Sequence, residues 1–267
     1  KPIVIFFAMS CAATIYTNLD TVMLGFMTSD AEVGYYNAAV KIKSILVSVV
    51  TSLGVVLLPR ASYYVECKLM NKFYRITHVA LNFVILISVP LTVYFILFAK
   101  EGIFFLSGAE YEASIVPMQI IMPTLLFIGL TNIMGIQTLI PLGKEKVVLY
   151  SEIAGAVADL LLNAALIPSM ASAGAAIGTV VAEGVVFAVQ FWALRKEVLS
   201  AYQKVRYGTI VLALALAIAS CLWVKTTALG SFASLLVSAI LFFAVYGGVL
   251  VLRKEPLAWQ MAEKVRQ

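Results

Sequence analysis

Charge is scarce in this sequence. Of 267 residues only 12% are Asp, Glu, Lys or Arg, against about 25% in an average soluble domain. Hydrophobic residues make up 62%, and the mean hydropathy is +1.00. A water-soluble enzyme and a disordered tail are excluded by that balance. Histidine and cysteine are scarce too, with one His and 3 Cys. Cys11 and Cys221 sit in apolar runs, Cys67 lies in a basic loop, and no pair has metal-ligand or redox spacing. No metal site is expected, and His78 reads as a ring at a membrane interface. The net charge is +5, but the basic residues are not gathered on one element, which argues against nucleic acid as a partner. No Ser/His/Asp set, metal cluster or phosphate-binding glycine loop is present.

Long apolar runs are plentiful. A spanning helix needs roughly 20 apolar residues, and the sequence reads as about eight such spans, over 3–27, 34–58, 78–99, 115–140, 147–168, 173–194, 207–225 and 230–252. Transmembrane strands would alternate and be about half as long. The fold class predicted is all-α, a polytopic membrane helix bundle. Basic residues set the orientation. Arg60, Lys68, Lys72 and Arg75 follow the second span, and Lys144 and Lys146 the fourth. Arg195, Lys196, Lys204 and Arg206 follow the sixth, and Arg253, Lys254, Lys264 and Arg266 the eighth. The opposite loops hold only Lys100 and Lys225. Both ends of the chain are therefore predicted cytoplasmic. The loop over 59–77, with Tyr63, Tyr64, Leu69, Phe73 and Tyr74 among its basic residues, is expected to lie as an amphipathic helix on the membrane surface. The chain opens Lys1-Pro2-Ile3 straight into an apolar run, which reads as the start of a fragment.

Six ionisable residues fall inside the spans: Asp20, Lys41, Lys43, Glu152, Asp159 and Glu183. Each costs about 2.5–3.5 kcal/mol in hydrocarbon unless it faces water or a partner. At 100° per residue, Asn37, Lys41, Ser44, Ser48, Thr51 and Ser52 share one face of the second span, with Lys43 off that stripe. Ser10, Thr14, Thr17, Asn18 and Thr21 form a similar strip on the first span, with Asp20 at its edge. Such faces line water or hydrogen-bond to neighbouring helices, and the sequence leaves both open. Asp20 and Lys41 are matched in depth across a short loop, so a salt bridge or a shared water-filled site is expected between them, with the two paired in at least one state. Glu152, Asp159 and Asn163 share a face of the fifth span, and Thr179, Glu183 and Gln190 one of the sixth. Gly174 and Gly178 permit close helix approach. Pro90, Pro117 and Pro123 mark candidate kinks. Polar faces with acids at mid-depth and no ATP-binding domain fit a secondary transporter.

A resemblance supports this. Tyr16-Thr-Asn-Leu-Asp20-Thr-Val-Met-Leu-Gly25, followed by Val33-Gly-Tyr-Tyr-Asn-Ala-Ala-Val-Lys41-Ile42, resembles the seventh and eighth spans of bacterial polysaccharide flippases. Leu58-Pro59-Arg60, Gly135-Ile136-Gln137, Pro141-Leu142-Gly143-Lys144, Asp159 to Asn163 and Gly174-Ala-Ala-Ile-Gly178 continue it. The family is the Wzx-type oligosaccharide flippases of the multidrug/oligosaccharidyl-lipid/polysaccharide exporter superfamily. The resemblance implies two six-helix lobes around a central cavity, worked by alternating access. Residues 1–200 would be the C-terminal lobe, and 201–267 two additional helices, which in lipid-flippase relatives can frame a groove for a lipid tail, and a cytoplasmic tail. The implied substrate is an undecaprenyl-diphosphate-linked oligosaccharide crossing the bacterial cytoplasmic (inner) membrane. The implied partners are that lipid, the membrane, the missing N-terminal lobe and polysaccharide assembly proteins. No cofactor is expected beyond a coupling proton or sodium ion. Asn18, Asn37, Ser44, Ser48 and Asn163 are candidates for binding sugar. Lys41 and, at the entrance, Arg60 are candidates for the diphosphate. Asp159, Asp20 and Glu183 are candidates for the coupling ion. Competing readings are a drug/cation antiporter of the same superfamily, a membrane glycan polymerase, and a non-transporting scaffold.

Overall fold

The computed structural model describes residue 7 and residues 17–202, 206–227 and 229–259, with backbone alone over 199–202. Most of the first expected span, including Ser10, Cys11 and Thr14, lies outside the described residues, as do Lys204 and the tail from 260.

Every described element is helical. Helix α1 covers 17–27. After a two-residue break, α2 runs from Asp30 to Glu66. Ser29 at its start is extended, and Asp30 and Glu32 occupy the first turn, where acids complement the helix dipole. Its 37 residues reach about 55 Å, well beyond a hydrocarbon core of about 30 Å. Pro59 lies inside the helix without ending it. This corrects the expected surface helix over 59–77. The chain instead continues as α2, breaks at Cys67–Leu69 with Lys68 at φ 58, and returns as α3, Met70–Leu97.

Helix α4 (Ala99–Leu106), a 3-10 turn at Ala109–Ser114 and α5 (Ile115–Ile121) follow. The expected fourth span is not one helix. It breaks at Met122–Pro123, bends by 47°, and resumes as α6 (Thr124–Thr131) and a π-helix, Asn132–Leu139. Pro123 has no N–H to give the preceding turn, which explains the bend.

Helix α7, Glu145–Tyr202, is nominally 58 residues but reverses at Ala171 (φ 46, ψ −127). Its arms, 145–170 and 172–202, are the expected fifth and sixth spans folded as an antiparallel hairpin. Gln190 Nε2 donates to Ser151 Oγ at 3.0 Å across it. A Cβ on Gly174 would lie 2.7 Å from Leu166 O, so the glycines permit the close approach their spacing predicted. Helix α8 (Tyr207–Cys221), a 3-10 turn at Leu222–Thr226 and α9 (Ser231–Leu252) complete the chain. The 200/201 boundary falls within the last turn of α7.

Among the described residues, five helices are long and apolar enough to cross a membrane, or six with the bent pair counted as one. Helix α7 counts once in that number, although each of its two arms is long enough to cross. The chain is a multi-pass membrane protein.

One apolar cluster fills the end predicted to face outward, around Leu24, Tyr36, Ile103, Met118 and Ile167. The other joins α3, α6, the second arm of α7, α8 and α9, around Val84, Met134, Leu194, Ala213 and Phe242. Two tyrosines tie the extra helices to the lobe. Tyr94 Oη donates to Leu235 O at 2.8 Å, and Tyr246 Oη to Leu86 O at 3.1 Å. Lys225 adds a bond to Leu97 O.

Candidate functional site

Four helical segments converge on Asp20. The short loop between α1 and α2 brings Asp20 against Tyr36. The α7 hairpin brings Asp159 and Asn163, one turn apart on the first arm, against Thr179 on the second. A Cβ on Gly178 would overlap Asn163 Oδ1, so glycine is what lets the arms close here. Tyr36 Oη donates to Asp20 Oδ2. Thr179 Oγ1 lies 3.0 Å from the same oxygen and 2.9 Å from Tyr36 Oη. Asn163 Nδ2 bridges the carboxylates, 2.6 Å from Asp20 Oδ1 and 3.2 Å from Asp159 Oδ2.

The cluster is sealed. Asp20 is 4% exposed, and Asp159 and Asn163 are 0%. Two buried carboxylates sharing one amide repel each other, and each ionised group costs several kcal/mol to desolvate. Asp159 Oδ1 and Asn163 Oδ1 are moreover buried acceptors with no hydrogen-bond partner, a costly condition for polar groups in a low-dielectric interior. Oxygen acceptors in excess of donors are what a proton or a hard cation satisfies.

Beside the cluster lies a cavity of about 350 Å³, lined by Lys43, Ser44, Thr131, Glu152, Glu183 and Gln190 among others. Two apolar grooves flank α9. One, of about 290 Å³, includes Ile42, Tyr94, Phe105 and Phe232. The other, of about 470 Å³, includes Phe83, Ile87, Phe243 and Leu250.

The residues nominated from sequence divide into three groups. Asp20, Asp159 and Asn163 come together, so Asn163, nominated for sugar, sits instead between the two acids. Glu183 is almost buried (9% exposed) and lines the cavity with Glu152. Asn18, Asn37, Lys41, Ser44, Ser48 and Arg60 are exposed. Thr21 Oγ1 donates to Asn37 Oδ1 at 3.3 Å, and Asn18 Nδ2 reaches Thr17 Oγ1 at 3.4 Å. Ser44 and Ser48 bond their own helix, to Val40 O at 2.8 Å and Ser44 O at 3.0 Å. The expected Asp20–Lys41 salt bridge is corrected. Asp20 is turned inward to Tyr36, Asn163 and Thr179, while Lys41 is on the exposed face, and Lys43 lines the cavity with Glu152 and Glu183. Tyr36 was missed, and Lys43, noted as an ionisable residue inside a span, was set off the polar stripe and given no role. Their signal is a seven-residue spacing on α2, close to two full turns, which puts both on one face.

Residues 4–65 match a family model described as "Polysaccharide biosynthesis protein". Among solved structures, the chain is similar to "Lipid II flippase MurJ, inward closed conformation", with 14% identity and a TM-score of 0.76. The match covers 94% of this chain and 53% of that one, so this chain spans about half the length of that relative. A search of curated proteins gives no match. At this identity the structural likeness establishes the fold. Together with the family match it supports the resemblance to flippases of the multidrug/oligosaccharidyl-lipid/polysaccharide exporter superfamily.

Proposed function

We propose that this chain is the C-terminal lobe of a flippase that carries an undecaprenyl-diphosphate-linked oligosaccharide across the bacterial cytoplasmic membrane by alternating access, driven by a coupling cation. The observation that carries the reading is the buried Asp20–Asp159 cluster, in which α1, α2 and both arms of α7 meet through Tyr36, Asn163 and Thr179. A proton or sodium ion seated there relieves the repulsion of the carboxylates and draws the four segments together. Its release restores the repulsion and favours a looser packing. A site that stabilises one arrangement of helices over another is what converts an ion gradient into alternating access.

The exposed stripe of Asn37, Lys41, Ser44 and Ser48 is suited to a cavity shared with the first lobe, where hydroxyls and amides meet sugar and Lys41 meets diphosphate. Arg60, farther along the same helix, is suited to the cytoplasmic entrance. The grooves beside α9 are suited to the lipid tail, which keeps the polyprenyl chain in an apolar setting while the head group crosses. Membrane lipids and polysaccharide assembly proteins are the partners this role implies, and both ends of the chain are assigned to the cytoplasm.

The test uses the two-lobed protein in a strain lacking its own flippase. Asp159→Asn and Asp20→Asn, inserted at normal levels, should accumulate lipid-linked oligosaccharide and lose surface polysaccharide. Full surface polysaccharide from both variants overturns the reading. One observation favours a second reading: the cavity holds Glu152 and Glu183 against the single Lys43, an acidic balance suited to a drug/cation antiporter. Resistance to cationic drugs in the same strains decides between them.

A further inference from the structure

Tyr36 and Lys43 lie on one face of α2, about two turns apart, and Thr179 and Glu183 on one face of the second α7 arm, about one turn apart. Tyr36 and Thr179 close around Asp20, while Lys43 and Glu183 line the adjoining cavity. Glu152, on the arm that carries Asp159, lines the cavity too. Lys43 thus shares the cavity lining with two carboxylates, Glu152 and Glu183, and lies about two turns along α2 from the Tyr36 that meets Asp20, in a region that holds four carboxylates with Asp20 and Asp159. The region is net negative until cations enter. An anionic head group approaching the cavity meets the carboxylates of Glu152 and Glu183, and Lys43, its partner there, shares the lining with both. A cation between Asp20 and Asp159 lowers the negative charge of the region and favours pairing of the Lys43 ammonium with phosphate oxygens.

We propose that Lys43 links the two sites: a cation at Asp20–Asp159 raises the affinity of the cavity for a lipid diphosphate head group, and the head group raises the affinity for the cation. The link rests on the flippase reading and extends it from the exposed Lys41 stripe to the cavity, whose lining includes Ser44 of that stripe beside Lys43. Linkage requires the effect to be equal in both directions. Lys41, on the exposed face, is outside it.

The test measures binding of undecaprenyl diphosphate, with undecaprenol as the uncharged control, to the purified two-lobed protein in detergent. Sodium is varied in one arm and pH in the other. In the wild type, saturating cation should tighten diphosphate binding about tenfold, the usual size of a coupling between sites, and leave undecaprenol unaffected. Lys43→Gln should lose this dependence and bind the cation more tightly, because a positive charge has left the field of the acids. Lys43→Arg should keep the dependence, and so should Lys41→Gln. Glu183→Gln is a second probe that retains the lysine: it should tighten diphosphate binding without added cation and shrink the coupling. Intact coupling in Lys43→Gln, or weaker cation binding in it, overturns the inference and leaves the flippase reading standing. If Lys43→Gln does not fold, unchanged coupling in Glu183→Gln overturns it instead. No cation dependence in the wild type also overturns it, and the Asp159→Asn complementation then decides separately whether the flippase reading survives.

Discussion

Replacing Gly174 by alanine probes the closeness of the α7 hairpin. The added Cβ would lie 2.7 Å from Leu166 O, 2.8 Å from Leu166 C and 3.1 Å from Ile167 N, where ordinary contact begins at 3.4 Å. All three are backbone atoms of the opposite arm, so no side-chain rotation relieves the clash and the arms must separate. Overpacking of this kind costs about 1–3 kcal/mol, and the better helix propensity of alanine returns about 1 kcal/mol. The net loss is up to about 2 kcal/mol, which lowers Tm by up to roughly 4–8 °C in a protein of this size, while the difference from a glycine with open space around it keeps the full cost of about 1–3 kcal/mol. Gly247 on α9 is the control, because a Cβ there meets nothing within 4 Å, and its alanine variant should be as stable as wild type or slightly more so. Gly178→Ala separates stability from coupling. Its Cβ would overlap Asn163 Oδ1 and lie 3.2 Å from Asp159 Oδ1, both side-chain atoms able to move. It should melt closer to wild type than Gly174→Ala, yet lose cation-dependent transport as Asn163 leaves the carboxylates. Thermal melting in detergent and complementation of surface polysaccharide read the two effects. If Gly174→Ala melts with Gly247→Ala, the arms are not packed backbone to backbone and the geometry of the site built on them fails.

Thr179→Val removes one oxygen from the cluster at nearly constant volume, and should shift the cation concentration needed for transport by about tenfold, the loss of one hydrogen bond to a charged group. An unchanged cation requirement removes Thr179 from the site. Tyr94→Phe breaks the bonds to Leu235 O and Ser238 Oγ and should cost about 1 kcal/mol of stability with cation coupling intact, as read by melting and transport together. Equal stability in the variant means that the Tyr94 hydroxyl does not help to hold α9 to α3. Cys67 is exposed at the α2–α3 break, which the basic residues assign to the cytoplasm. Permeant thiol reagents should label it in intact cells and impermeant ones should not. Labelling by the impermeant reagent inverts the assigned orientation.

What the sequence made legible followed from composition and local spacing. Hydropathy located the crossings, because each must bury some twenty residues whatever its neighbours do. The small residues of Gly174 to Gly178 announced a close approach, and the one-turn spacing of Asp159 and Asn163 put them on one face. The phase of α2 was not legible. Asn37 and Lys41 define one polar face, Tyr36 and Lys43 another, and a helix seen alone does not tell which faces its own lobe. The serines tipped the reading toward the first, although Ser44 and Ser48 spend their hydroxyls on their own backbone and need no partner helix. Pro123 marked the break at Met122–Pro123 as a candidate kink, whereas the π-helix beyond it was hidden for another reason: hydropathy averages over a span and does not register a change in backbone hydrogen bonding.

The two faces of α2 bear on mechanism. The inward face ends in groups that need each other, Tyr36 on Asp20 and Lys43 among acids, and so fixes α2 to α1 and α7 only as firmly as the carboxylates are neutralised. Self-satisfied hydroxyls and the exposed Lys41 make up the outward face, which can exchange water, sugar or a second lobe without leaving a buried group unpaired. A change in charge at Asp20 or Asp159 therefore acts first on the inward face, and the outward face can follow at little cost in hydrogen bonds. In the proposed mechanism, helix α2 is the element through which an ion held inside this lobe alters what the cavity presents to a substrate.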